Sequence, residues 1–155
     1  MPSSPEKRIQ ELHLTLPKPP KPVAKYKPAV QVGNMLYVSG HGPLKVDGTM
    51  ISGKVGADLT LEQGKDAARV VGLAILATVQ NTLGTLDKVK RLVKTLGMVY
   101  ATPEFKDHPQ VINGFSELMA EVFGDDAGVG ARSAVGMGSL PGNIPVEIEC
   151  IFEVE

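Results

Sequence analysis

Val146-Glu147-Ile148-Glu149-Cys150-Ile151-Phe152-Glu153-Val154 repeats apolar and acidic residues with a period close to two. Val146, Ile148, Cys150, Phe152 and Val154 fall on one side, while Glu147, Glu149, Glu153 and the following Glu155 fall on the other. Successive side chains of a strand point to opposite faces, so this stretch predicts a strand with one buried and one polar face. The sheet that contains it is covered on one side only. The cover has to come from helices elsewhere in the chain.

Two segments supply them. Thr60 and Gln63 have the spacing of a capping box, and Ala67, Val70, Val71, Ala74, Ile75 and Thr78 recur at three- and four-residue intervals up to Leu83, where Gly84 stops the helix. A second helix is predicted from Asp107, as cap, through Pro109 to Gly124. Its apolar stripe is Val111, Ile112, Phe115, Leu118, Met119, Val122 and Phe123. Between them Val89 to Ala101 reads as a long strand.

Upstream, Ala29–Val32 and Met35–Ser39 flank Gly33-Asn34, a pair that tolerates positive φ and suits a tight hairpin. A glycine-bearing loop, Gly40 to Gly53, is expected to hold a third short strand around Met50. Downstream, Asp125 to Gly130 is a loop, Ser133 to Leu140 a strand broken by Gly136 and Gly138, and Pro141-Gly142-Asn143 a turn. The order is ββ(β)αβαββ. It predicts an α+β sandwich, one mixed sheet with two helices packed on one face. The other face needs solvent or a partner, which already points to oligomerisation.

The first 28 residues differ. Ser4 and Pro5 open a short helix with Ile9 and Leu12 as its apolar stripe. Leu16 to Pro22 carries four prolines and reads as a stiff extended connector ahead of a proline-rich recognition segment. Residues 1–28 are therefore an N-terminal helix and extension, and residues 29–155 a single domain.

Composition bounds the function. The 155 residues suit one domain with a conventional core. Sixteen basic and seventeen acidic residues give a net charge of −1, which makes nucleic acid an unfavoured partner. One cysteine, Cys150, cannot close an internal disulfide and fits a reducing cytosol. No secretory signal is visible, and the longest apolar run, Val70 to Val79, falls well short of the roughly 20 residues of a membrane span. The expectation is a soluble cytoplasmic protein without a membrane partner.

Several site chemistries fail on spacing. His13, His41 and His108 are scattered, so no metal site is expected. Cys150 lies on an apolar strand face, where a buried thiol is inert. The glycine pairs at 128/130 and 136/138 open no helix after a strand, and Tyr37 stands where a serine-hydrolase elbow has its first glycine. Taken alone, Arg132 and Glu147 read as solvated charges on polar strand faces, and His41 as a surface residue.

Ala131-Arg132-Ser133-Ala134-Val135-Gly136, with Leu140-Pro141 and then Val146-Glu147-Ile148-Glu149, resembles the closing motif of the reactive intermediate deaminase (RidA/YjgF) family, whose members are also called L-PSP endoribonuclease-like. Gly33 to Gly40, with Pro43 after it, resembles its opening hairpin, and the likeness runs from about Tyr26 to Glu155. The resemblance implies a chorismate-mutase-like fold and a homotrimer with three inter-subunit clefts. Each cleft would hydrolyse a small 2-imino or enamine carboxylic acid to a 2-oxo acid and ammonia, without a cofactor. It further implies that Arg132 grips the substrate carboxylate and Glu147 holds the attacking water. Tyr26, Ser39, Asn113 and the Ala134 amide match pocket positions. Lysine would not reproduce the planar fork of Arg132.

The chain departs from the family pattern in several places, as a divergent subgroup would. Ala24-Lys25 replaces the usual Gly-Pro, His41 a frequent Gln, and Ala134 a frequent Cys; the 125–130 loop is longer and the N-terminal extension is additional. The alternative function is non-catalytic binding of a carboxylate metabolite by the same arginine pocket.

Overall fold

The computed structural model describes residues 3–155. In chain order the elements are α1 (Pro5–Glu11), β1 (Ala29–Val32), β2 (Met35–His41), α2 (Leu61–Leu83), β3 (Val89–Tyr100), α3 (His108–Ala127), β4 (Ala131–Met137) and β5 (Val146–Val154), with short 3₁₀ turns at Leu86–Lys88 and Pro141–Asn143. The strands form one sheet in the order β1-β2-β5-β3-β4, in which only β3 and β4 are parallel. The last strand is thus the middle one, inserted between β2 and β3. β3 and β4 are neighbours joined by a crossover through α3, so β4 and β5 form no hairpin with each other. Arg132 and Glu147 are separated by β3.

The alternation in β5 is obeyed along its whole length: Val146, Ile148, Cys150, Phe152 and Val154 are buried, and the residues between them are not. Its apolar face meets α2 and α3 in a core dominated by small aliphatic side chains, with Phe115 and Phe152 as its largest members. The other face of the sheet has no covering element and presents Val30, Val32, Tyr37 and Val135 to the outside.

α2 begins as its sequence predicts. The Gln63 amide donates to Thr60 Oγ1 at 3.1 Å, the Thr60 amide donates to Gln63 Oε1 at 2.9 Å, and Gly84 closes the helix at φ 84°. α3 is less regular. Asp107 stands at the N-cap position with φ −100° and ψ 36°, outside the extended region that aims a cap side chain at the first amides, and its carboxylate makes no capping bond. Gly124 at φ 88° kinks the helix instead of ending it, and helical structure resumes through Ala127. That last turn uses up half of the expected 125–130 loop.

Two strand expectations are corrected. Around Met50 there is only a single bridge pair, Leu44 with Met50, and that pair stands outside the five-stranded sheet. β4 starts at Ala131, two residues before the expected Ser133, and ends at Met137, since its pairing with β3 runs from Lys94–Ala131 to Tyr100–Met137.

α2 and α3 approach so closely that a Cβ added to Gly114 would overlap the backbone carbonyl of Lys65. Neither atom can swing aside. Gly114→Ala is expected to destabilise the fold by about 3 kcal/mol: overpacking of roughly 4 kcal/mol, above the usual range because neither atom can yield, less about 1 kcal/mol gained in helix propensity. Thermal unfolding would show it as a midpoint lowered by roughly 6–12 °C.

The N-terminal helix packs on this body. Ser4 caps α1 by accepting from the Lys7 amide at 3.3 Å, and Ile9 joins the core. Glu6 accepts from the Leu86 amide at 2.7 Å, from Gln80 Nε2 at 3.0 Å through each of its two oxygens, and from Thr85 Oγ1 at 3.3 Å. Leu12, Leu14 and Leu16 lie half-buried against the core, and the proline segment then runs to the start of β1.

Candidate functional site

The residues singled out in the sequence separate into two groups on opposite faces of the sheet. Arg132 pairs across β4–β3 with Thr95, a buried residue on the helix-covered side. Glu147 pairs across β5–β3 with Met98, three residues further along β3 and therefore on the uncovered side. Two strand spacings and three residues put them roughly 14 Å apart along the sheet. Within one chain they cannot act on the same small molecule.

Glu147 lines a cleft of about 650 Å³ at the end of β5, together with Tyr26, Ser39, Gly40, Met50 and Ile144. A bulge in β2 shapes it. Val38 pairs with Cys150 and His41 with Ile148, so β2 carries one extra residue over that interval and Ser39-Gly40 is pushed out of the regular ladder. Gly40 touches Glu147 so closely that a Cβ there would lie 2.5 Å from Glu147 Oε2. Ser39 donates its hydroxyl to the Lys27 carbonyl at 2.6 Å, and its amide donates to Pro28 O at 2.9 Å. These two bonds tie the segment carrying Tyr26 to the cleft wall. Partial burial raises the Glu147 carboxyl above its ordinary value, and the Glu149 charge two residues along raises it further.

Arg132 sits in a second, smaller hollow between the sheet and α3, lined also by Leu92, Thr95, Asn113, Ser116, Val129 and the glycines beside them. Its Nη1 donates to Asn113 Oδ1 at 2.8 Å and to Ser116 Oγ at 3.2 Å. Both acceptors are neutral, and among the described residues no carboxylate lies within ion-pair distance of the guanidinium. The side chain is thus held in place with its charge uncompensated. An unpaired guanidinium held in this way has the chemistry to pair with an anion.

Of the six candidates, Tyr26, Ser39 and Glu147 come together in the first cleft, and Arg132 and Asn113 in the second. Ala134 is half-buried and lines neither. Three participants escaped the sequence reading. Ser116, one helical turn after Asn113, had a usable signal in that spacing. Met50 and Ile144 had none, since their place depends on how the 43–52 loop folds back.

His41 corrects the expectation of a surface residue: it is buried between β2 and α2, 5% exposed. Its ring sits 2.6 Å from the Ser39 carbonyl through Nδ1 and 2.7 Å from Thr78 Oγ1 through Nε2. A carbonyl only accepts, so Nδ1 carries the proton. Burial pushes the imidazole below its ordinary pKa, keeping it neutral. Cys150 is buried in the core, where loss of hydration raises its thiol far above reactive values. Among the described residues no group of three or more His, Cys, Asp or Glu is placed to hold a metal, and no helix is long and apolar enough to cross a membrane.

Residues 6–151 match the family "YjgF/chorismate mutase-like, putative endoribonuclease". The chain belongs to the YjgF/RidA family. The YjgF/RidA fold, a mixed five-stranded sheet with its long helices on one side, is therefore the fold of this chain. The chain is 38% identical to Protein TCP17 of Trypanosoma cruzi over 94% of its own length and 91% of that protein's. A solved structure of Atu1372 from Agrobacterium tumefaciens, a protein of unknown function, superimposes with a TM-score of 0.87 at 41% identity, covering 97% of this chain and 92% of that one. A more distant YjgF/RidA relative, 29% identical over 92% of this chain and 95% of its own length, is the 2-iminobutanoate/2-iminopropanoate deaminase of Dermatophagoides farinae.

Proposed function

We propose that this protein hydrolyses small 2-imino or enamine carboxylic acids to 2-oxo acids and ammonia, in clefts built between copies of the chain in a cytoplasmic homotrimer. The observation that carries this reading is the separation of its two charged groups. Arg132 holds an unpaired charge on the helix side of the edge strand β4, and Glu147 holds a half-buried carboxylate on the uncovered side of β5. A cyclic arrangement that lays one chain's β4 edge against the next chain's cleft unites them in a single site. The exposed apolar residues of the uncovered face give such an assembly something to bury.

In that site Arg132 binds the substrate carboxylate with two parallel charge-assisted bonds, each about 1.5–3 kcal/mol. Tyr26, Ser39 and Asn113 shape and support the pocket, and the Ala134 amide, being backbone, serves whatever its side chain. Glu147 accepts a proton from water as the water oxygen bonds to the imine carbon, giving a carbinolamine. That proton is returned to nitrogen; the carbinolamine hydroxyl then gives its own proton through Glu147 to the departing nitrogen as the C–N bond breaks, ammonia leaves, and the C=O of the 2-oxo acid remains. A carboxyl raised by burial is a better proton acceptor than an ordinary one. No step needs a cofactor.

The named deaminase activity of the Dermatophagoides relative supports the same substrate class. The test is ammonia release from freshly generated 2-iminobutanoate or 2-iminopropanoate with and without protein. Faster release is expected. Equal rates, with thermal stabilisation by 2-oxo acids, would instead favour a carboxylate-sensing module. Salt-sensitive RNA binding would be the mark of a nuclease, for which a net charge of −1 provides little attraction.

Gly40 offers a sharper test of the cleft geometry. In Gly40→Ala the methyl group displaces the Glu147 carboxylate, a flexible group, and not the backbone. The fold should persist with a melting temperature close to that of the parent, while kcat falls at least tenfold, since a shift of about 1 Å in a reacting group costs up to 10²-fold.

A further inference from the structure

We propose that His41 is a positioning residue: bolted to α2 through Thr78, it holds the Ser39-Gly40 bulge in the shape against which Glu147 is set. The inference rests on the reading of Glu147 as the water-holding base and adds a buried support to it. Three observations meet here. The ladder between β2 and β5 loses its register between Val38 and His41, so Ser39 and Gly40 lack regular pairing with β5. The Ser39 carbonyl turns inward and accepts from His41 Nδ1 at 2.6 Å. The far side of the ring accepts from the Thr78 hydroxyl at 2.7 Å, and Thr78, 2% exposed, lies inside the long, capped helix α2.

The direction of each bond follows from the chemistry of the groups. A neutral imidazole has one donor and one acceptor, and the Ser39 carbonyl takes the donor, so Nε2 is left to accept from Thr78. The ring therefore relays the rigid position of the helix to a bulged stretch of backbone on the opposite side of the core layer. Gly40, the next residue along, is in contact with Glu147. If the bulge relaxes, the wall behind the carboxylate opens, water enters, and the burial that raises the Glu147 carboxyl is lost.

Three variants separate this role from simple core packing. His41→Leu fills the space and makes neither bond. Thr78→Val keeps the shape and removes the anchor. His41→Asn restores a donor near the place of Nδ1 for the Ser39 carbonyl. The primary readout is the titration of the Glu147 carboxyl by ¹³C NMR of glutamate-labelled protein, its resonance identified with Glu147→Gln; no substrate is required. In His41→Leu the midpoint is expected to move down toward the ordinary carboxylate value, in Thr78→Val to move part of the way, and in His41→Asn to return toward that of the parent.

Imine hydrolysis gives the second readout. His41→Leu should lower kcat about tenfold or more with KM little changed, and His41→Asn should recover most of the loss. A Glu147 titration and kcat identical to the parent in both His41→Leu and Thr78→Val, with only the melting temperature lowered, would overturn the proposal. Should His41→Leu fail to fold, Thr78→Val carries the comparison alone. If the parent protein hydrolyses no imine, the deaminase reading falls, and the NMR titrations still decide the role of His41.

Discussion

Mixing Arg132→Ala chains with Glu147→Gln chains, each inactive alone, is expected to restore imine hydrolysis. The reason lies in the sheet. Arg132 shares the register of Thr95 on the helix-covered face, whereas Glu147 shares that of Met98 on the other, so a site that holds both must draw them from different copies. In trimers formed at random from equal amounts of the two variants, a site is intact when its arginine comes from a Glu147→Gln chain and its glutamate from an Arg132→Ala chain. That holds for about a quarter of the sites in a cyclic assembly. The homogeneous Arg132→Ala protein loses two charge-assisted bonds, and its kcat/KM should fall by roughly 10²–10⁴. Arg132→Lys should recover little, because a point charge cannot reproduce the planar fork that grips a carboxylate with two parallel bonds. The measurement is ammonia release after co-refolding or co-expression. Activity no higher than that of either variant alone would place both residues in the same copy's site, or neither in any.

The parts of this fold that were legible in the sequence are those set by local periodicity and local capping. The alternation of β5, the Thr60–Gln63 capping box and the stop at Gly84 each depend on residues a few positions apart, and each stands where it was read. What depended on distant partners was not legible. Nothing within the 146–154 stretch says that the last strand is inserted between the second and third. The Pro141-Gly142-Asn143 turn likewise does not say which strands pair beyond it, and β3 separates β4 from β5. The Met50 strand failed for a related cause, since nothing local to Met50 says that its one partner is Leu44 within the same loop and not a strand of the sheet. His41 shows the same limit at the level of one side chain. It follows a bulge that shifts the alternation of β2 by one residue, so a parity count from Met35 assigns it no dependable face.

Glu147→Gln is expected to make the protein inactive and, at neutral pH, more stable. Loss of the base that takes the water proton should lower kcat by roughly 10²–10⁴. The gain in stability comes from the same carboxylate. Burial raises Glu147 above its ordinary value of 4.5, so the folded state binds its proton more tightly than the unfolded chain does. Below about pH 4 both states hold the proton and the group costs the fold little. As the pH rises through 4.5 toward the raised folded-state value, the unfolded chain ionises first, and stability falls until the folded protein has ionised as well. Glutamine never ionises and escapes that loss. The melting temperature of Glu147→Gln should therefore nearly match that of the parent at about pH 4, exceed it increasingly as the pH rises through 4.5, and level off once the folded carboxyl has ionised. Glu149, the second cause of the raised value, allows a check on the same axis: Glu149→Gln removes a like charge and should shift the acid limb of the parent's kcat/KM profile to lower pH. A melting-temperature difference of the opposite sign at neutral pH would mean that the assembled site stabilises the ionised Glu147, as a neighbouring Arg132 would do. The carboxylate would then be held as an ion for catalysis at no cost to the fold.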